Sequence, residues 1–592
     1  MKKATLIPLS ALALLTLAGC SLNALSSSGT SQTSYGSAYD YNSSIIVEEP
    51  TTIEVTEVSS DFSITTEDGE YSSSGSVYTL TKAGTYSLSG KLDGQILVEA
   101  GGDDEVVVEL NGVSLSYDQD SPLKAVSGSK LEVSAKKDTE NLIQDKRSAK
   151  TSEIASQGEG AISADIDLKL KGSGTLVVEG SYNNGVHTSK DLEIQKLTLK
   201  STGTNNAIKG KNSVTIESGT VQAYAKKGNG IKTDDSDVSS KGNQRGTIAI
   251  NGGTVYVDSL HDGIDASYNV EIAEADSAVP TSLTVVTGTK SSFYSRSSFT
   301  ADSEKGLKAQ NDILVQGGSI LVSASDDALH ANYGETLDNG SQGSGNITVE
   351  GGLIQVASGD DGLHADNTLS VSGGTIVVTG ATEGYEANYI NISGGSSYIY
   401  GTDDGVNCSK KSFNNCGITM SGGYLDVAVS GGDTDGIDSN GYFTLTGGAI
   451  VTRGSPGTNL NGMSTGLDVD GAISMSGGTL IAFNGLEKSP SAGGKIYYAG
   501  TSGSSSSGMG GPGGPGGRGN PGGQTTSSSY SFSAGKYTLT GTGLEVAFTN
   551  DYAYASFQIY SSSLSSGATY TLARAGTSVL SWTQSGTSVT IS

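Results

Sequence analysis

A pair of glycines recurs inside one strand-like phrase after another: INGGTVYVDS at 250–259, VQGGSILVSA at 315–324, VSGGTIVVTG at 371–380, ISGGSSYIYG at 392–401 and MSGGYLDVAV at 420–429. A glycine pair in the middle of every phrase is incompatible with a helix, whereas alternating side chains after a tight corner suit a short strand. A second phrase follows each of these, as in EKGLKAQN at 304–311, DDGLHADN at 360–367, TEGYEANY at 382–389 and DDGVNCSK at 403–410. Its apolar anchor advances by 22 residues from Leu307 to Leu329 and again from Leu363 to Tyr385. Longer intervals carry polar, Gly/Ser-rich inserts such as 332–345. Such a unit is too short for a four-stranded propeller blade and lacks the helix of a leucine-rich repeat. Three short strands and three turns predict one coil of a parallel β-helix, with coils about 4.8 Å apart. The fold class expected is therefore all-β, a solenoid of about 22 residues per coil, with an N-terminal cap near 72–145 and a C-terminal β segment.

The 592 residues include 85 Gly and 62 Asp plus Glu against 35 Lys plus Arg, a formal net charge of -27. A surface this acidic excludes a polybasic nucleic-acid binder. Lys2 and Lys3 precede an apolar run, Leu6 to Leu17, that is too short to span a bilayer. It ends in Leu17-Ala18-Gly19-Cys20, which resembles a bacterial lipobox. The expectation is a signal peptide at 1–19, a lipid on Cys20 as the only membrane attachment, and a cell-envelope, surface-exposed lipoprotein. Residues 20–45 read as a flexible tether, 46–500 as the β-helix, 501–529 as a Gly/Ser/Pro-rich linker or loop, and 530–592 as a β-module or closing strands. Cys408 and Cys416 remain as a candidate disulfide in an extracytoplasmic compartment; two unpaired buried thiols are the alternative. A monomer is expected.

Charge is concentrated. Between 321 and 480 there are 18 acids and 3 basic residues, which is -15 of the total. Asp326 and Asp327, Asp360 and Asp361, Glu383, Asp403 and Asp404, and Asp433 and Asp435 occupy one phase of successive coils. A second row follows the anchors: His330, His364 with Asp366, Glu386, and Asp438. Stacked carboxylates repel, and hard divalent cations held by oxygen relieve that repulsion, so Ca2+ is the expected cofactor of these twelve acids. An isolated Asp-Asp-Gly corner can equally be a turn cap. Lys209, Lys232 and Lys308 share the second phase in earlier coils, so the row changes sign along the solenoid. With His330, His364 and Tyr385 they are the candidate polysaccharide contacts.

The order KAGTYSLSGKLDGQILVEAG, VVVELNGVSLSYDQDSPLKAV, LEVSAKKDTENLIQD, then the SGGT and DDGLHADN coils, the late glycine run and SSLSSGATYTLARAG resembles the bacterial carbohydrate-binding-domain proteins with a pectate-lyase-like β-helix, over roughly 70–592. That resemblance implies a right-handed parallel β-helix, attached to the cell surface, that binds calcium and acidic, pectate-like polysaccharide without catalysis. The enzymatic alternatives are a calcium-dependent polysaccharide lyase or a hydrolase on the same fold; a structural adhesin is the third. A lyase of this kind needs Lys or Arg beside the metal, and only Lys410, Lys411 and Arg453 lie in the acidic stretch, none of them in the phase of the file.

Overall fold

Strict alternation makes the strands. In Ser319–Ser323 and Leu353–Ala357 every second side chain is buried and its neighbours face outward. A computed structural model describes residues 33–36, 45, 47–152, 157–290, 303–411, 413–432, 434–456, 464–488, 490, 498–500, 532–554, 556–586 and 588–590. The expectations for the signal segment, Cys20, Asp433 and the run 501–529 lie outside them.

Each rung contributes one strand to each of three parallel ladders. The glycine-pair strands form the first, with Ser319–Ser323, Leu353–Ala357, Thr375–Gly380, Ser396–Gly401, Tyr424–Val429, Ala449–Arg453 and Thr479–Phe483 paired in sequence. The anchor strands form the second: Leu307 lies opposite Leu329, then Leu363, Tyr385, Val406, Ile437 and Leu467. The third runs through Asp312–Val315, Asn346–Val349, the ends of Leu363–Val371 and Tyr385–Ile392, then Gly417–Met420 and Tyr442–Leu445. The anchors and their counterparts Ile354, Ile376, Leu425 and Ile450 are fully buried in one continuous apolar core. At the corner, Gly374 and Gly395 hold φ of 77° and 73°. A Cβ at Gly395 would stand 2.6 Å from the Gly373 carbonyl oxygen, so the stacked corner requires glycine twice over.

Both ends of the ladders switch to antiparallel pairing, which removes open edges. Ser63–Thr66 pairs antiparallel with Gly84–Asp93, and buried Tyr86 donates to the Lys82 carbonyl at 2.7 Å. At the other end Phe557–Ser561 pairs antiparallel with Thr479–Phe483. A separate five-stranded sheet follows the order Thr33–Tyr35, Leu544–Asn550, Gly535–Gly541, Thr569–Arg574, Thr577–Thr583. Its Tyr537 and Phe548, together with Phe557 of the closing strand, share a buried cluster with Tyr398, Tyr424, Val451 and Phe483 of the first ladder. Arg453 pins this junction: fully buried, it pairs with Asp426 and donates from Nε to Asn550 Oδ1 at 2.7 Å.

Two N-terminal features differ from the sequence reading. Thr33–Tyr35, in the stretch read as tether, pairs with Leu544–Val546. The peptide from Val47 to Ser60 is not a rung but runs across several: Val47 packs on Tyr224 and Tyr256, Ile53 N–H donates to Gln222, and Val58 N–H donates to Ser114. Local composition gives no sign of this, because the partners are remote in the chain; Gln222, which also donates to the Thr51 carbonyl, lies 171 residues away from it.

Candidate metal and carbohydrate site

The residue before each anchor's glycine or alanine stacks into a corner column: Asn184, Asn206, Asn229, Asp262, Lys305, Asp327, Asp361, Glu383, Asp404, Asp435 and Thr465. Much of this column is held by one repeated bond. Oδ1 of Asn184 accepts the backbone N–H of Asn206 at 3.2 Å, Asn206 that of Asn229 at 3.0 Å, and Asp327 that of Asp361 at 3.0 Å. Asp361 accepts Glu383 N–H at 3.3 Å and Asp404 accepts Asp435 N–H at 2.7 Å. The turn-capping role open to an isolated Asp-Asp-Gly corner is thus performed by one oxygen of each. The other oxygen of Asp327 contacts His330 of the second row, and that of Asp361 contacts His364.

That row lies in register on the anchor ladder as Lys209, Lys232, Asp265, Lys308, His330, His364, Glu386, Asn407, Asp438 and Asp468. Its lysines are already engaged. Lys209 pairs with Asp234, Lys232 with Asp265 and with Asp234 at 3.6 Å, and Lys308 with Asp262 at 3.4 Å.

Asp326, Asp327, Asp361, Asp366 and Glu386 are neutralised by the protein's own Lys305, His330, His364 and Lys411. Lys305 Nζ lies 2.9 Å from Asp326 and 2.6 Å from Asp327. His330 Nδ1 is 2.6 Å from Asp327 Oδ2. His364 Nδ1 contacts Asp361 at 2.8 Å and Glu386 at 3.0 Å, while its Nε2 lies 3.3 Å from Asp366. Lys411, out of phase in sequence, reaches Glu386 Oε1 at 2.5 Å. Burial pushes the His364 imidazole down, but hydrogen bonds to Asp361 and Asp366 and the charges of Asp327 and Glu386 outweigh it and raise its pKa to about 10. His364 is therefore an imidazolium, with its ring 4.4 Å from that of His330. Burial works against ionisation of Asp327, yet His330 and Lys305 hold its carboxyl well below the usual range. Asp361 is pushed up to about 6 by burial and by Asp327, against the opposing bond from His364.

At Glu383, Asp404 and Asp438 the balance reverses. Among the described residues no Lys, Arg or His forms an ion pair with Glu383, Asp404 or Asp438. Burial, then the charges of Glu386, Asp361 and Asp404, raise Glu383 to about 8 despite a bond from Asn407. Burial and the nearby Asp438 and Asp435 raise Asp404 to about 7; burial with Asp468, Asp435 and Asp470 does the same for Asp438. Asn407 Nδ2 donates to Glu383 Oε1 at 2.7 Å, while Glu383 Oε2 and Asn407 Oδ1 are buried with no hydrogen-bond partner. Two orphaned oxygens of adjacent rungs fit a hard cation.

Among the described residues, three groups bring three His or carboxylate donor atoms within 4.8 Å: Asp326, Asp327 and Asp360; Asp327, His330 and His364; Asp361, His364 and Glu386. Each already contains or touches Lys305, His330 or His364. The acids that lack a counter-charge are instead spaced one rung apart, and Asp403 is exposed beside them.

Three of the expected residues are placed differently. Tyr385 is 0% exposed, donates to Ser397 Oγ at 2.8 Å, and cannot contact a polymer, because the anchor position points into the core. Cys408 and Cys416 are buried free thiols rather than a disulfide, each bonded to a carbonyl, of Asn388 and Cys408 respectively. Sequence reasoning missed Asp262, Asp265, Lys305 and Asp468. The second phrase contains all four, and aligning every copy of it rather than the acidic copies alone would have found them.

The described residues form an almost wholly β structure with a charged file along its stacked corners. The carbohydrate-binding domain-containing protein family matches residues 74–343 and 334–488, which together exceed half of the chain, and the chain belongs to that family. A carbohydrate-binding domain-containing protein of Acetivibrio thermocellus is 34% identical over 120 residues, covering 19% of this chain and 41% of the relative. The chain thus spans less than half of that relative. Among solved structures, the polysaccharide lyase-like protein from C. thermocellum, as its gadolinium derivative, is 30% identical with a TM-score of 0.33, covering 38% of this chain and 85% of that one.

Proposed function

We propose that this is a surface-anchored lipoprotein, lipidated on Cys20, whose ladders wind as a right-handed parallel β-helix and bind an acidic, pectate-like polysaccharide with calcium and without catalysis. The observation that carries the reading is the pair of buried, unpartnered oxygens, Glu383 Oε2 and Asn407 Oδ1, among carboxylates that have no protein counter-charge. Glu383, Asn407, Asp404 and Asp438 would hold calcium, with Asp435 in the rung of Asp438 and Asp468 in the next. When bound, the ion supplies positive charge that a uronate carboxylate can share. The family and the name of the Acetivibrio relative support carbohydrate as the ligand class. Charge supports an acidic polymer bridged by cations, since an uncompensated file of this kind repels a polyuronate.

Non-catalytic binding fits the basic residues. Arg453 is sealed at the sheet junction, and Lys305 and Lys411 are committed to carboxylates. One arrangement favours a lyase instead: Lys411 on Glu386 beside the His364 imidazolium, next to the candidate cation seat. A pull-down on pectate, cellulose and mucin, with calcium and with chelator, tests the binding reading. Retention on pectate that disappears with chelator is expected, and equal retention with chelator overturns it. Release of unsaturated uronides that is abolished in Lys411→Ala would establish the lyase.

A further inference from the structure

Beside the charged file, the surface between the second and third ladders opens into a groove of about 510 Å³ lined by Tyr389, Lys410, Asn415, Asn440, Tyr442 and Asp470. Its aromatic component is built into the register. Tyr389, Gly417 and Tyr442 follow one another on the third ladder. A Cβ at Gly417 would stand 2.3 to 2.5 Å from three atoms of the Tyr442 ring, so the ring lies across bare backbone and only glycine permits it. Its other face meets solvent: Tyr442 is 39% exposed, in a molecule with few large apolar side chains so exposed. Phe413 continues the aromatic row, with its ring 6.3 Å from Tyr389 and 4.7 Å from Tyr333.

The polar partners are of the matching kind. Lys410 is exposed and, unlike Lys305 and Lys411, forms no ion pair among the described residues. It is a free cation at the edge of a strongly acidic stretch. Asn415, Asn440 and Asp470 offer both donors and acceptors. A flat ring, a shallow trough open to solvent, carboxamides and one ammonium suit a sugar ring with one apolar C–H face, equatorial hydroxyls and a carboxylate. They do not suit a compact apolar ligand, which needs enclosure.

We propose that this groove is a pyranose subsite for an acidic polysaccharide, with the sugar face on Tyr442 and a uronate carboxylate on Lys410. It rests on the polysaccharide reading above but not on the calcium seat, since none of its six residues is one of the proposed ligands. The test is calorimetric titration of the full chain, in calcium, with hexagalacturonate and separately with cellohexaose. Tyr442→Ala should weaken hexagalacturonate about tenfold, and Tyr442→Phe should retain it. Lys410→Gln should weaken hexagalacturonate about fivefold and leave any cellohexaose binding unchanged. Tyr552→Ala, an equally exposed tyrosine outside the groove, should match the unmodified chain. Binding by the unmodified chain that Tyr442→Ala and Lys410→Gln both leave within twofold overturns the subsite and leaves the polysaccharide reading intact. No binding of hexagalacturonate by the unmodified chain overturns both.

Discussion

His364 shows how far a single side chain can be carried by its neighbours. Three carboxylates contact its two nitrogens, and its pKa stands at about 10 against an ordinary 6.5. A folded-state pKa above the unfolded one means that the folded chain binds the extra proton more tightly. Its contribution is therefore complete below about pH 6.5 and is lost as pH rises through about 10. Replacing it by glutamine leaves buried Asp361 without its counter-charge and Glu386 with Lys411 alone. His364→Gln should cost about 3 kcal/mol at pH 7, measured by chemical denaturation, and the gap from the parent chain should close towards pH 10. A gap of constant size across that range would show that the imidazolium is not what matters.

At the level of the strand and its corner, much was readable in advance. The glycine pair, the alternation after it and the anchor phrase all reflect local rules, and each stacked as its spacing predicts. Gly395→Ala is expected to destabilise by about 1–3 kcal/mol, because the residue combines φ of 73° with a carbonyl 2.6 Å from the missing Cβ. A thermal melt checks this, and an unchanged midpoint would contradict the stacked-corner account. The acidic file was legible as a phase, but its division was not. Lys305 stands in the acid phase and Lys411 outside it, so the neutralised half could be recognised only once side-chain reach was known. Tyr385 misled for a related reason: an aromatic hydroxyl in a polar phrase suggests a surface, whereas anchor phase places it inside.

On the scale of the whole molecule, the sequence is least informative where distant segments meet. Nothing near Arg453 announces that it will be sealed between the first ladder and the C-terminal sheet, with Asn550 as partner 97 residues on. Asp426→Ala should therefore be disproportionately damaging, by about 3–5 kcal/mol, since it strands a buried guanidinium. Limited proteolysis would report it as early release of the C-terminal sheet; release at the parent rate would contradict the lock. The strap from Val47 to Ser60 belongs to the same class, a long-range contact with no periodic signature. Charge, by contrast, is a global property that was readable, and the structure sharpens it: Asp327, Asp361 and Glu386 have His or Lys partners, whereas Glu383, Asp404 and Asp438 form no ion pair among the described residues.

That division is tested most directly by calcium titration calorimetry on the full chain and two variants. The double variant Glu383→Gln, Asp438→Asn should lose at least tenfold in calcium affinity, and Asp360→Asn, in the self-neutralised half, should stay within about twofold of the parent. Calcium binding that survives the double variant unchanged but falls with Asp360→Asn would contradict the assignment, and a parent chain that binds no calcium would refute it outright.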